Sequence, residues 1–216
     1  MKKDTPSGIS AHSTNYVGVD RETGAAQFRN HEGKIVASSE LTDEDMTDIG
    51  SAIPKFTYGI TLNLEYKGFD FTAFGTGVAG NKIFNILYRA DSPLRNSLKY
   101  YMDNAWTPEN KGASMPAVNN VATDLNFWSS SAAMFNGSYF KIKQLQLGYT
   151  LPKRLTQKVA IKDLRFFVSL DDFFTFSNYP GMDPETATTG NNGGAGFDIG
   201  SYPTMKKCSF GASFSF

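Results

Sequence analysis

The sequence predicts an all-β fold, in which antiparallel strands form part of a transmembrane β-barrel that this chain leaves incomplete. Apolar and polar residues alternate along several segments, each of the roughly 9–11 residues that a tilted strand needs to cross a bilayer. The connections between these segments are alternately short and long, as in outer-membrane barrels. No stretch approaches the roughly 18 apolar residues of a membrane helix, so a helical membrane protein is excluded.

The clearest alternation begins at Phe56 and predicts a β-hairpin. Six apolar residues, from Phe56 to Tyr66, occupy every second position, and small or polar residues lie between them. Lys67 and Gly68 then predict a tight turn. The apolar face continues after the turn, with Phe74 as the exception on the polar face. Two strands of about eleven residues each are therefore expected.

Three further strands are predicted in the second half of the chain. The first has apolar residues at alternate positions from Leu145 to Leu151. Upstream of it, Phe140 and Ile142 fall in the opposite phase, which we attribute to a strand that rises out of the bilayer. The apolar positions of the other two strands are Leu164, Phe166, Val168 and Leu170, and then Phe210, Ala212, Phe214 and Phe216.

The connections predict the organisation of the chain. Residues 1–55 are polar and irregular, and we expect an extracellular loop region with possible extended pieces near 16–19 and 25–29. Residues 56–216 are expected to hold the membrane strands, with long extracellular loops at 79–138 and 177–203. Short turns on one side and long loops on the other are typical of an outer-membrane barrel, with the C-terminus on the periplasmic side.

Composition excludes several classes of function. Lys plus Arg equals Asp plus Glu at 21 each, so no net field attracts nucleic acid. One cysteine leaves no disulfide framework, and His12 and His31 lack the spacing of metal ligands. The acidic residues at 43–48 suit calcium chemically, but their spacing fits no EF-hand, and a short, solvated helical turn capped by Thr42 is expected instead. Neither a metal nor a cofactor is expected, and no catalytic constellation is present.

Several residue runs carry a family resemblance. The first is Ile53-Pro54-Lys55-Phe56-Thr57-Tyr58-Gly59, and the others follow it in order: 64–70, 78–81, 106–110, 136–143, 147–152, 172–176, 181–185 and 202–216. Together they resemble the SusC/RagA family of TonB-linked outer-membrane transporters of Bacteroidota. Asp171-Asp172-Phe173 departs from the family pattern, where an Asn is expected next to the Phe, and so does Met205-Lys206-Lys207.

The resemblance implies a function and partners. Such transporters import oligosaccharides or peptides across the outer membrane, driven through TonB, beneath a SusD-like surface lipoprotein. The plug that contacts TonB would lie outside this chain, together with the rest of a large barrel whose C-terminal strands these would be. Five strands cannot close a barrel around a plug, so a fragment, a cleaved portion or one piece of a split transporter is implied. The remaining expected contacts are with outer-membrane lipid.

Two other classes of function stay open from the residues alone. Alternating strands also suit a soluble carbohydrate-binding β-sandwich, in which one face packs on a core and the other meets water. A structural outer-membrane barrel subunit that does not transport would show the same strand pattern. The first eight residues include two lysines but lack the apolar core of a signal peptide. Taken alone, this would indicate a cytoplasmic protein, which conflicts with the strand pattern.

Candidate site residues fall into three groups, none of them catalytic. Flat aromatic side chains on the outer loop can stack on sugar rings, pack on a partner protein, or instead pack the loop together: Tyr100, Tyr101, Trp106 and Trp128. Arg165 and Asp171 lie on the inward phase of one strand, where they would line the solute path, form an internal ion pair or contact the plug. The resemblance adds Phe210, Phe214 and Phe216 as a signal for barrel-assembly machinery.

Overall fold

The computed structural model describes residues 10–85, 99–121, 124–156, 161–189, 195–200 and 202–216. The chain forms two units. The sheet unit comprises Lys55–Ala79, Ser138–Ser177 and Pro203–Phe216, and the loop unit comprises Met1–Pro54, Gly80–Gly137 and Asn178–Tyr202. The glycine-rich run at 190–194, expected to be a flexible loop, lies outside the described residues, as do the first nine residues.

Strands dominate the described residues. In chain order they are β1 (Ser10–Ser13), β2 (Asn15–Val19), β3 (Ala26–Arg29), β4 (Ile35–Ala37), β5 (Thr47–Ser51), β6 (Phe56–Tyr66), β7 (Phe69–Ala79), β8 (Lys82–Asn85), β9 (Met134–Asn136), β10 (Tyr139–Thr150), β11 (Asp163–Ser177), β12 (Phe197–Asp198) and β13 (Lys207–Ser215). The helices are short: α1 (Lys99–Asn104), α2 (Val118–Val121), α3 (Leu125–Trp128), α4 (Lys153–Thr156) and α5 (Pro184–Thr189). Within the described ranges, none of them has the length and apolar content needed to cross a membrane.

The sheet unit is one antiparallel sheet in the order β13-β11-β10-β7-β6. The predicted hairpin is confirmed, with Tyr66 opposite Phe69 and Lys67 and Gly68 in the turn at φ 48° and 86°. All five predicted strands are present. The longest, β11, runs through 15 residues to Ser177, further than the alternation alone indicated.

The two faces of this sheet differ in polarity. We call the face that carries Leu62 the outer face and the face that carries Asn63 the inner face. Cross-strand partners share a face, so the register Leu62–Ala73 and Phe71–Leu147 continues the apolar surface across three strands. Large apolar side chains on the outer face are exposed, with Phe210 at 82%. A soluble protein rarely exposes an apolar surface of this extent, whereas a strand in lipid requires one.

Aromatic rings collect at both ends of the outer face. Four rings form a row at one end, in the order Phe56, Tyr58, Phe140 and Phe176. The centroids of neighbouring rings in this row are 5.6, 5.9 and 6.4 Å apart. At the turn end, Phe69 and Tyr149 lie 4.5 Å apart and Phe214 and Phe216 lie 5.6 Å apart. An apolar band between two aromatic rows is the pattern by which barrel strands match the two interfaces of a bilayer.

A β-bulge explains the phase change in β10, and our explanation from the sequence is wrong. Ile142 lies opposite Gly75 and Phe174, whereas Gln144 lies opposite Phe74 and Asp171. Lys143 is therefore an extra residue relative to β7, and two residues of β11 oppose it. The insertion returns Phe140 and Ile142 to the outer face, so β10 keeps its apolar surface on both sides of the bulge.

The loop unit contains three small sheets: β1-β5, β2-β3-β4 and β12-β8-β9. β2 and β3 lie near 16–19 and 25–29, where extended pieces are expected, and residues 10–51 hold more regular structure than a polar, irregular segment. The main core packs around Phe28 and Phe127, both almost fully buried. Apolar side chains that are far apart in the sequence meet there, so the periodicity of the sequence did not predict this core.

Candidate functional site

The inner face of the sheet unit is the candidate site because it presents polar side chains along every strand. It carries Asn63, Thr72, Gln146, Ser169 and Ser209, among others, and Asn63 accepts a hydrogen bond from the Thr72 hydroxyl at 3.0 Å. In a barrel, polar residues that face the lumen line the path that a polar solute takes. Phe74 and Phe167 interrupt the polar surface.

A bidentate ion pair spans the inner face near the β6–β7 turn. Arg165 on β11 donates from Nε to Oδ1 of Asp70 on β7 at 2.9 Å, and from Nη2 to Oδ2. The pair passes over Gly148 on β10, where a Cβ would lie 2.5 and 2.6 Å from the Asp70 carboxylate oxygens. The guanidinium also lies 5.1 Å from the centre of the Phe167 ring. Each charge is therefore neutralised by its partner, and the contact joins β11 to β7 across β10.

An open depression of about 710 Å³ lies beside this ion pair. Glu65 and Asp70 lie directly opposite each other on its wall, and Arg165 contacts only Asp70 of the two. Like charges at opposed positions of a strand pair repel. Glu65 is exposed, so water lowers the cost of this arrangement.

Asp171, the other predicted inner-face residue, is remote from Arg165. It accepts a hydrogen bond from the Ser169 hydroxyl at 2.8 Å and lies opposite Gln144 and Lys207. Asp171 lies six residue steps along the extended strand from Arg165, a distance of about 20 Å. The structure places both residues on the inner face, and their contact with a solute stays a prediction.

Lysines at the bulge end of the inner face were not identified from the sequence. Lys141 is 1% exposed and its Nζ donates to the hydroxyl of Thr204. Lys143 pairs with Asp172 at 2.7 Å, and Asp172 adopts a left-handed conformation at φ 57°. The lysine pair within the Phe-Lys-Ile-Lys run was a usable signal, but the bulge that places these residues was not visible in the alternation.

The candidate aromatic residues of the loop unit pack into its core. Tyr101 and Trp128 are 5% and 6% exposed, with ring centroids 5.4 Å apart. The indole Nε1 of Trp128 donates to the Val121 carbonyl at 2.7 Å. Tyr100 makes T-shaped contacts with the rings of Tyr101 and Phe135. Their ring faces are used for packing, which was the alternative kept open from the sequence.

Trp106 retains part of its surface. It is half-buried, its Nε1 donates to the carbonyl of Arg21 at 2.9 Å, and its ring covers Gly24. Gly24 has φ +70°, and a Cβ there would lie 2.5 Å from the Trp106 ring. Among the four aromatic candidates, Trp106 and Tyr100 therefore keep surface that a solute can reach, and a binding role for them stays a prediction.

The loop unit also contains a buried polar network that the sequence did not predict. Tyr179 donates its hydroxyl proton to Asp198 and accepts a hydrogen bond from Asn85 Nδ2 at 3.0 Å. Burial, followed by the Asp198 carboxylate, raises the pKa of the Tyr179 hydroxyl far above its ordinary value. Tyr179 therefore stays protonated and fastens the segment after β11 to β8.

The acidic turn at 43–48 is a hydrogen-bonded cap. Thr42 and Asp45 form the capping box that the sequence predicted. Asp45 is buried, however, and not part of a solvated turn: it accepts from the His31 backbone at 2.8 Å and contacts His31 Nδ1 at 2.7 Å. These hydrogen bonds lower the pKa of Asp45, and the bond to Asp45 raises the pKa of His31. Among the described residues, no group of three His, Cys, Asp or Glu side chains is arranged to hold a metal.

The residues predicted as an assembly signal share the outer face of β13 or extend from it. Phe210 lies opposite Val168 and Phe214 opposite Leu164 on β11. Phe216 follows the last strand residue and stacks edge-on against Phe214. All three rings are exposed, and a recognition role for them stays a prediction.

Searches for similar sequences find TonB-dependent receptors. The chain is 32% identical over 205 residues to TonB-dependent receptor P3 of Formosa agariphila, covering 91% of this chain and 19% of the receptor. It is 25% identical to receptor P26 of the same organism, covering 89% of this chain and 20% of that receptor. The chain thus spans about a fifth of the length of these curated relatives. No protein-family model matches the chain.

Solved structures with a similar fold are those of the RagAB peptide transporter. One matches with a TM-score of 0.76 and 25% identity, covering 96% of this chain and 23% of that chain. The open-open state of the RagAB peptide importer matches with the same TM-score and 22% identity, covering 100% of this chain and 24% of that chain. The resemblance inferred from the sequence is thereby confirmed: the strands described above are barrel strands of the SusC/RagA family of TonB-linked outer-membrane transporters.

Proposed function

We propose that this chain supplies membrane-spanning, lumen-lining strands to a TonB-dependent outer-membrane importer of oligosaccharides or peptides. The two-faced sheet carries the proposal: an exposed apolar outer face lies between two aromatic rows, and the inner face is polar. A soluble β-sandwich would cover its apolar face with a second sheet. The similarity to TonB-dependent receptors and to the RagAB peptide importer supports transport over a purely structural barrel role.

The strand order supports an orientation in the membrane. The connections at 67–68 and 151–162 are short and lie at one end of the antiparallel sheet, whereas 80–138 and 178–206 join strands at the other end. Barrels of this class have short periplasmic turns and long outer loops. We therefore propose that the long connections lie outside the cell and that Phe216 lies at the periplasmic side of the outer membrane.

Two partners follow from the proposed role. A SusD-like surface lipoprotein would cover the outer side, and the similarity to RagAB importers supports this kind of partner. Energy would come from TonB through a plug that the described strands do not include. The remaining barrel strands would pair with β6 and β13, which are the edges of the sheet and would be unsatisfied in lipid.

Uptake in the native host tests the proposal. A strain that lacks the transporter containing this chain should lose uptake of a class of labelled oligosaccharides or peptides, and loss of TonB should abolish the same uptake. Restoring the transporter should restore both its outer-membrane location and uptake. Recovery of the chain as a monodisperse, cooperatively folding monomer without detergent would instead indicate a soluble sandwich. A folded barrel whose loss leaves all uptake unchanged would indicate a structural subunit.

A further inference from the structure

Cations collect at the turn end of the sheet unit. The connection between β10 and β11 contains four of them and no carboxylate in its sequence: Lys153, Arg154, Lys158 and Lys162. Lys67 adds another in the turn between β6 and β7. In the described part of the chain, none of Lys67, Lys153, Arg154 and Lys162 forms an ion pair.

The carboxylates at this end are fewer than the cations. Asp70 is already paired with Arg165, which leaves Glu65 and Asp163 on the described strands. Four described cations therefore meet two strand carboxylates, or three if Phe216 carries a terminal carboxylate. The turn end of the sheet unit thus has an excess of positive charge that the described residues do not neutralise.

Backbone hydrogen bonds join these connections into one continuous rim. Thr150 donates its backbone N–H to the carbonyl of Gly68 at 2.8 Å, which holds the start of the β10–β11 connection beside the β6–β7 turn. Lys162 donates its backbone N–H to the carbonyl of Ser215 at 2.8 Å, which holds the end of that connection beside the end of β13. We call this surface the turn rim: Lys67, Gly68, 151–156, 161–162, Ser215 and Phe216. Its four described cations are all exposed.

A row of apolar side chains crosses the outer face next to the turn rim. The strand register places its members opposite one another on five strands, in the order Tyr66, Phe69, Tyr149, Phe166 and Ala212. The ammonium of Lys67 lies 5.1 Å from the centre of the Tyr66 ring, so one cation is held at the level of this row. Aromatic rings with cations beside them are typical of the headgroup level of a bilayer.

An anionic phospholipid satisfies both parts of this surface. Its phosphate matches the unpaired cations, and its acyl chains cover the aromatic row, whereas a soluble anion would meet the cations only. Leu155, next to Arg154 in α4, is also exposed and adds an apolar contact among the cations. Each cation close to an anionic lipid surface contributes up to about fivefold in affinity.

We propose that the turn rim binds the phosphate of an anionic phospholipid in the adjoining leaflet of the membrane, with Lys67, Lys153 and Arg154 as its cationic contacts. This inference rests on the proposed membrane role of the sheet and adds a lipid site to the import function. In the proposed orientation the leaflet is the periplasmic one. The bound lipid holds the turn end of the sheet at the level of the headgroups.

Lipid binding to the complete transporter, purified in detergent, tests the inference. Native mass spectrometry counts the molecules retained from micelles that contain phosphatidylglycerol, which is anionic, or phosphatidylcholine, which is zwitterionic. We expect phosphatidylglycerol to be retained more strongly. The double variant Lys153→Gln/Arg154→Gln should weaken the site about tenfold, so that about one phosphatidylglycerol fewer is retained per transporter while phosphatidylcholine is unaffected. Lys206→Gln/Lys207→Gln removes two exposed lysines at the opposite end of the sheet and is the matched control.

A headgroup without acyl chains distinguishes a lipid from a soluble phosphate. Glycerophosphoglycerol at about tenfold excess should not displace the retained phosphatidylglycerol, because it cannot cover the aromatic row. Equal retention of the two lipids, the same loss in the control variant, or displacement by glycerophosphoglycerol would overturn the lipid site. If TonB-dependent uptake persists in that case, the import function stands. A transporter that retains the lipid but imports no solute would contradict the import function alone.

Discussion

Arg165 and Asp70 form an ion pair over the Cα of Gly148, so that a single contact fastens β11, β10 and β7. The two side chains are 26% and 27% exposed, which places the pair between a surface bridge and a buried one. Two parallel hydrogen bonds from one guanidinium give the contact a defined geometry. The absence of a side chain at residue 148 is what allows it.

Replacing Gly148 with Ala should break this contact. The new Cβ would overlap the Asp70 carboxylate and the Arg165 guanidinium, and we expect a loss of about 1–3 kcal/mol of stability. Thermal unfolding of the detergent-solubilised transporter measures it. Gly112→Ala is the control because a Cβ there meets open space. In an Asp70→Asn/Arg165→Gln background, Gly148→Ala should cost less, and an undiminished cost would assign the effect to backbone crowding.

A charged side chain should destabilise the barrel on the outer face of β6 and be tolerated on its inner face. Leu62 lies mid-strand on the exposed outer face, and Leu62→Arg should destabilise the assembled barrel by about 2–4 kcal/mol near the bilayer midplane. Asn63→Arg should be tolerated, because the inner face is polar and only the hydrogen bond from Thr72 is lost. The folded fraction in urea titrations of each variant gives the comparison. Equal effects at both positions would contradict the assignment of the faces.

The His31–Asp45 contact should make the turn at 30–46 depend on pH. The hydrogen bond to Asp45 raises the pKa of His31 above its ordinary value of about 6.5. The stabilisation is therefore fully present below pH of about 6.5 and is lost as the pH rises through the raised pKa. Hydrogen-exchange protection at Thr42, corrected for intrinsic rates, should fall over this interval. His31→Gln should remove the dependence, and pH-independent protection in the unsubstituted protein would contradict the pairing.

The contribution of Asp45 to the stability of this turn should be lost at acidic pH. Backbone and side-chain donors from His31 and Thr42 lower the pKa of Asp45. The stabilisation is present above the ordinary aspartate pKa of about 3.9 and is lost as the pH falls through the lowered value. Asp45→Asn should therefore loosen the turn at pH 5–7, with Asp43→Asn as the control. Equal protection in the two variants would show that Asp45 is not the cap.

Phe216 should affect assembly more than stability. Burial of one Phe is worth about 1.5–3 kcal/mol, too little to decide the stability of a large closed barrel. Phe216→Ser should lower the amount of transporter assembled in the outer membrane and leave the melting temperature of assembled molecules nearly unchanged. Ser215→Ala on the inner phase is the neighbouring control. A parallel fall in yield and melting temperature would make Phe216 an ordinary packing residue.

The sequence predicted the sheet unit well because strand alternation is a local property. Neighbours in a strand point to opposite faces, so residues 56–66 alone defined which side chains lie on the apolar face. The contacts of the candidate site were harder to predict from the sequence. Arg165 was identified on the inner face, but its partner Asp70 lies 95 residues away, and alternation carries no information about distant pairs.

Alternation along the chain was enough to predict the five membrane strands, their polar and apolar faces and the Lys67–Gly68 turn. Strand register and packing were needed to show that Lys143 forms a bulge, that Asp70 and Arg165 meet over Gly148, and that Tyr101 and Trp128 are buried. Each of these depends on strand register or on packing between segments far apart in the chain. A periodic pattern fixes the direction of a side chain, whereas its partner is fixed by the free energy of the whole assembled sheet or core.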